Sequence, residues 1–478
     1  MPSTSAKRQA VSNTAPLDTK NHPLATEPVG KLLLKFALPS IVATLGAFFY
    51  NITDQIFIGR GVGILGNAAT NVAFPLMTIF MAVALTFAIG GAANFNLELG
   101  RGHRERAAQV AANAICCAAM SGVGISVVAL SFLEPILLAF GATPDVLPYA
   151  MTYAGIVMLG TPFMVMTLCG VHLIRADGSP RYSMCCNLTV AMLNVVLAPI
   201  FIFKLDMGVA GAAWGTVISM VAGWLMTVRY LVRFKSVPLK REYFVPRFRE
   251  IKAIISIGMA AFTNQFSMMC VQITLNNTLA HYGAISAYGA NVPLAASGII
   301  TKVNMLFLSV VIGLGQGGQP IIGFNYGAKN YARVRRTIAF TLSIATALSI
   351  VSFIVFQTFP RQIIDLFGEA NEQYYHFVER YFRIFLFMTF INGIQPVTAN
   401  FFSSIGRAAR GLFIALARQI LILIPLILIF PKFWGIDGIM FAGPISDFAA
   451  AVIAAVFIVR EVRDMKRMEA QARLEAIQ

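Results

Sequence analysis

The chain has 478 residues, 57% of them hydrophobic and only 12% charged, with a mean hydropathy of +0.72. A soluble chain carries about a quarter charged residues; at about 20 residues per bilayer crossing, the apolar total here suffices for some twelve spans and leaves no length for a sizeable soluble catalytic domain. The net charge of +16 would suggest nucleic acid in a soluble protein, but in a membrane chain it is read first as topology, and no nucleic-acid partner is expected.

Residues 1–28 are polar, rich in Ser, Thr, Asn and Pro, and lack the apolar stretch of a cleavable signal, so they read as a disordered cytoplasmic tail. Apolar runs follow at about 32–58, 67–97, 107–133, 147–173, 182–203 and 208–232, then at about 252–279, 290–322, 337–359, 377–403, 411–431 and 436–459. The fold class expected is an all-α polytopic membrane protein of twelve transmembrane helices in two repeat-related six-helix lobes. The lobes would occupy 29–232 and 251–460, joined by a cytoplasmic connector at 233–250 and followed by a cytoplasmic tail at 461–478.

Of the 37 Lys and Arg, 30 fall on segments that are cytoplasmic if both termini are inside, the asymmetry the positive-inside rule requires. An internal repeat supports the division. Asn71-Val72 and Asn291-Val292 are 220 apart, whereas Gly100 and Gly327, Gly208 and Gly435, and Ser219 and Ser446 are 227 apart, as a seven-residue insertion in the second half would produce. Six spans per repeat set the two halves in the same orientation. The six cysteines have neither disulfide nor metal spacing. Gly313-Leu314-Gly315-Gln316-Gly317-Gly318 fits a dinucleotide fingerprint by letters, yet it ends a span with no preceding strand and reads as helix packing. No nucleophile-base motif is present, and no enzyme is expected.

Charges within spans are costly and default to function. Asp54 lies in the outer half of span 1 between Asn51 and Gln55, and a lipid-facing carboxylate there would cost on the order of 3 kcal/mol, so it belongs in a wet interior. At 1.5 Å per residue, Asn194 of span 5 and Thr216 of span 6 fall at comparable depth. One carboxylate with amide and hydroxyl oxygens suits Na⁺, and the carboxylate alone suits a proton; no other metal or cofactor is expected. Asn194 and Thr216, taken singly, also suit ordinary interhelical hydrogen bonding. In the second half Lys302 either pairs with Asp447 or faces a central cavity, while Arg418 reads as interfacial. Asn264, Gln265, Gln395 and Asn400 are candidate cavity residues, with Phe and Met as walls.

Several stretches resemble the MATE (multidrug and toxic compound extrusion) family, in the bacterial branch of DinF- and MepA-like proteins. They are Leu38-Pro39-Ser40 with Tyr50-Asn51-Ile52-Thr53-Asp54-Gln55, Pro199-Ile200-Phe201 with Gly208-Val209-Ala210-Gly211, Gly317-Gly318-Gln319-Pro320 through Gly327-Ala328-Lys329-Asn330, and Pro444-Ile445-Ser446-Asp447. The resemblance implies an H⁺- or Na⁺-coupled antiporter of organic cations or amphipathic drugs in a bacterial inner membrane, with V-shaped lobes and alternating access, expected as a monomer in the lipid bilayer. The family's coupling acid falls on Asp54, its span-5 Asn on Asn194 and its span-6 Thr on Thr216. A second acid, usual before Pro in span 5, is here Ala198. Two other readings are a lipid-linked glycan flippase, which needs an Arg cluster the spans lack, and a non-transport assembly factor, which needs no buried acid.

Overall fold

The computed structural model describes residues 22–289, 291–366 and 372–475, and among them there is no β-strand. Helices follow the apolar runs because an amide in lipid finds no water and must bond within its own segment. Spans 1 to 6 are Val29–Gly61, Ile64–Gly100, Arg104–Ser131, Leu147–Ala176, Pro180–Pro199 and Gly208–Leu231. Spans 7 to 9 are Phe248–Ala284, Asn291–Gly327 and Tyr331–Thr358. Span 11 is Ala408–Trp434 and span 12 lies in Ile436–Glu475. Among the described residues eleven helices are each long and apolar enough to cross a bilayer; the bent pair Tyr375–Phe385 and Thr389–Ser404, 42° apart, makes the twelfth, span 10. An even number of crossings puts both described ends on one side, the tail side, opposite the far side.

Three expectations change. The run 377–403 is not one straight helix: Pro396 has no N–H for the carbonyl of residue 392, and the chain turns at Gly393 and again at 386–388. Residues 22–28 are folded rather than disordered, with a short helix Pro23–Thr26 and Leu24 buried; residues 1–21 lie outside the described residues. The tail after 461 continues the last helix to Glu475, with Arg335 Nη1 2.7 Å from Glu469 and Arg407 and Arg410 both holding the fully buried Glu461.

The lobes meet along a seam of glycines at which backbones touch. A Cβ at Gly90 would overlap the carbonyl of Ile254, and one at Gly258 the carbonyl of Thr86. Gly317 lies against the backbone of Ala37, and Gly313 against that of Ile41. These are the same contacts twice: a shift of 217 carries Ala37 and Ile41 onto Ile254 and Gly258, and 227 carries Thr86 and Gly90 onto Gly313 and Gly317. At the centre Gly100 abuts Phe324 and Gly327 abuts Leu97 reciprocally, again 227 apart. Because spans 2 and 8 are both 37 residues, the extra residues of the second half lie around the turn between spans 7 and 8. The 220 spacing of Asn71 and Asn291 is therefore not a structural equivalence.

The hydrogen bonds across the seam run from mid-span to the tail side among the described residues. The outermost is Thr44 Oγ1 donating to the Ser309 carbonyl at 2.8 Å. Nearer the tails, Asn94 Nδ2 donates to Ala253 (3.0 Å) and Arg175 Nη1 to Gln316 Oε1 (2.9 Å). Beyond Thr44 and Ser309 the two facing surfaces continue toward the far side through residues that are exposed, Asn51 and Gln55 of span 1 and Lys302 of span 8; this exposed far-side region is the cleft.

Candidate ion and substrate site

Span 1 presents two faces. Ala37, Ile41 and Thr44 meet span 8, and continuing that register by seven and eleven residues puts Asn51 and Gln55 on the cleft face. Both are exposed. Asn51 Nδ2 donates to Ala47 O at 2.7 Å and Gln55 Nε2 to Thr70 Oγ1 at 3.2 Å. Asp54, one position and about 100° from Gln55, turns into the first lobe and is buried.

Its depth there is set by packing. Ile58 packs with Ala198, Ile202 and Ala212, and Tyr153 of span 4 lies against them. One helical turn tailward of Ile58, Ala198 and Ala212 stand Asp54, Asn194 and Thr216 respectively, all three buried. Asn194 Nδ2 donates to Thr216 Oγ1 at 2.9 Å, and that hydroxyl donates to Ala212 O at 3.0 Å. Two buried oxygens on this level, Asp54 Oδ1 and Asn194 Oδ1, have no hydrogen-bond partner among the described residues. A buried unpaired acceptor costs about 1–3 kcal/mol, and two such acceptors stand at this level. Where the resemblance would place a second acid, Ala198 instead contributes a fully buried methyl.

The second lobe corrects one expectation. Asp447 does not pair with Lys302: Arg418 Nη2 lies 2.6 Å from its Oδ1, and Asn392 Nδ2 donates to its Oδ2 at 3.2 Å. Arg418 is therefore not interfacial. It lies in a π-helical segment, Ala417–Leu423, just ahead of Pro425, whose missing N–H disturbs the preceding turn. Such widened turns commonly carry functional side chains. Gln419 in the same segment donates to Asn264 Oδ1 at 3.3 Å, so Asn264 faces span 11 within its own lobe. Gln395 is buried in span 10, and Asn400 Nδ2 donates to Pro396 O at 3.1 Å.

Registers place the remaining cleft residues. Seven residues beyond Gly258 stands Gln265, and further along that face stand Gln272 and Asn276, which hydrogen-bond each other at 2.9 Å and which the sequence alone did not single out. Lys302 precedes Ser309 by seven and Gly313 by eleven residues, so it shares the face span 8 turns to span 1. It is exposed.

Known proteins bear on this arrangement. The MatE family model matches residues 39–200 and 260–429. The multidrug export protein MepA of Staphylococcus aureus (strain bovine RF122 / ET3-1) is 26% identical over 449 residues, covering 94% of this chain and 97% of MepA. The MepA of Staphylococcus haemolyticus (strain JCSC1435) is 25% identical over 446 residues, 93% of this chain and 96% of that one. A solved structure described as the outward-facing conformation of a multidrug resistance MATE family transporter of the MOP superfamily superposes with a TM-score of 0.87 at 22% identity, covering 93% of this chain and 98% of that one. With its model spread over both six-helix lobes, the chain belongs to the MatE family of transporters.

Proposed function

We propose that the chain is a cation-coupled antiporter that exports amphipathic organic compounds, among them organic cations and drugs, from a bacterial inner membrane by alternating access, with both termini in the cytoplasm. The observation that carries this reading is the pair of unpartnered buried oxygens, Asp54 Oδ1 and Asn194 Oδ1, level with Thr216. A proton is the coupling ion that suits them best. Na⁺ needs a shell of several oxygens, like other hard cations, whereas here Ala198 supplies none and the Thr216 hydroxyl is already engaged on both sides.

In this reading the cleft faces outward when the glycine seam is closed. A proton arriving at Asp54 removes the charge that keeps its side of span 1 hydrated, and span 1 repacks against spans 5 and 6. The cleft face carrying Asn51 and Gln55 is part of the same helix, so cargo and proton compete through its position. With Arg418 set aside on Asp447, 29 of the 37 basic residues fall on tail-side segments of the sequence and support assignment of that side to the cytoplasm.

The test is reconstitution in proteoliposomes with separately imposed pH and Na⁺ gradients. Asp54→Asn should abolish pH-driven efflux while leaving a folded protein with an unchanged melting temperature. Undiminished efflux by that variant overturns the role of Asp54, and efflux driven by Na⁺ alone overturns the proton.

A further inference from the structure

The polarity of the cleft defines a class of cargo, and this inference rests on the transport reading above. Spans 1, 2, 7 and 8 face each other across the cleft, and between mid-span and their far ends they hold a single carboxylate, Asp54. That carboxylate is turned away into the first lobe and buried. Asp447, mid-span in the second lobe, is occupied by Arg418 and Asn392. Facing the cleft itself are amides (Asn51, Gln55, Gln265, Gln272) and one ammonium, Lys302.

Lys302 is exposed and has no ion-pair partner among the described residues. It lies about 10 Å farther out than Ser309, at the level that Asn51 occupies above Thr44 on the opposite wall. The seam repeats the imbalance nearer the tails. Arg175 is buried there and donates to the neutral Gln316 amide rather than to a carboxylate, at a point that separation of the lobes on the tail side would open.

An unpaired cation and the absence of an accessible carboxylate make the cleft a better host for an amphiphile with an anionic group than for one whose only charge is positive. The cleft gains about two ordinary hydrogen bonds' worth of strength from an oxyanion at the ammonium. We propose that the preferred cargo is an amphiphile bearing an anionic group, carboxylate or sulfonate, alone or in a zwitterion, and that Lys302 is the residue that selects it. The apolar body of the cargo lies against the hydrophobic wall of span 2, while the amides of spans 1 and 7 accept or donate according to its polar substituents.

The experiment uses two dyes with the same body, rhodamine B, which carries a free carboxylate, and its ethyl ester, which does not. Binding to the purified full-length chain in detergent is read by fluorescence polarisation. The wild type should bind rhodamine B at least tenfold tighter than the ester. Lys302→Met should erase that preference, Lys302→Arg keep it, and Lys302→Glu reverse it, with melting temperatures confirming that each variant is folded. A wild type that prefers the ester, or a preference that Lys302→Met leaves in place, overturns the assignment. Because binding is measured without a gradient, loss of the antiport reading through the Asp54→Asn test leaves this result standing, and the converse also holds.

Discussion

At the scale of single residues, the carboxylates of Asp54 and Asp447 are treated in opposite ways. Asp447 is neutralised by a guanidinium and an amide within 3.2 Å, whereas Asp54 Oδ1 is left without a hydrogen-bond partner in a buried pocket. The first arrangement is structural. Asp447→Ala should lower stability by about 3–5 kcal/mol because it strands the Arg418 charge, while the double change Asp447→Leu with Arg418→Met should recover most of the loss; thermal unfolding in detergent reads both. If the single and double variants melt together, the pair contributes nothing. Depth counted along the sequence brought Asn194 and Thr216 to one level, and they do hydrogen-bond. The same counting misplaced Arg418, because a residue near the end of an apolar run looks interfacial unless the π-helical segment and the facing Asp447 are both known. Neither leaves a trace in local composition.

At the scale of elements, the apolar runs were legible because twenty consecutive apolar residues admit one structure in lipid. Their ends were not: spans 2, 7 and 8 each reach 37 residues, extending through polar residues that hydropathy assigns to loops. The break in span 10 was likewise hidden, since hydropathy averaged over 377–403 registers neither the turn at Gly393 nor the missing N–H of Pro396. The glycine seam makes a sharper prediction. A methyl at Gly258 meets the backbone of Thr86 and cannot be relieved by a rotamer change, so Gly258→Ala should cost about 1–3 kcal/mol. It should also reduce disulfide trapping between cysteines placed at Thr44 and Ser309. Gly298, where an added methyl would meet nothing within 4 Å, is the control. There alanine should be neutral or stabilising by up to about 1 kcal/mol.

At the scale of the whole molecule, the tail side is tied by a segment that the sequence presented as disordered. Leu24 O accepts from Asn325 Nδ2 (2.9 Å) and Arg333 Nε (3.0 Å), Glu27 O accepts from Arg333 Nη2, and the His22 ring stacks on Phe324 at 4.5 Å. Residues entering the first lobe are thereby fastened to the second. Composition hid this because a seven-residue strap needs only one buried leucine and its own carbonyls. His22 Nδ1 accepts from the Leu24 N–H at 3.2 Å, which requires the neutral ring, and burial, followed by the charge of Arg104, holds the imidazole below its ordinary value of 6.5. The undocked strap therefore binds the proton more tightly. Docking should weaken as pH falls through about 6.5 and level off below the depressed value. Amide exchange at residues 24–27 should accelerate between about pH 7.5 and 5.5 beyond the intrinsic pH effect, and His22→Asn, which keeps a cap acceptor without the titration, should remove the excess. Equal acceleration in that variant would assign the effect elsewhere.

The seam, finally, has the property of an interface between identical partners. Each lobe offers the other the patch it receives, with Gly90 and Gly258 answered by Gly317 and Gly313, which is the self-complementarity of an isologous dimer. A surface built this way does not depend on the polypeptide that links its halves. The connector, held beneath the first lobe by Asp177 through the amides of Lys235 and Ser236, then supplies proximity rather than shape, and the fold is that of a two-subunit assembly carried on one chain.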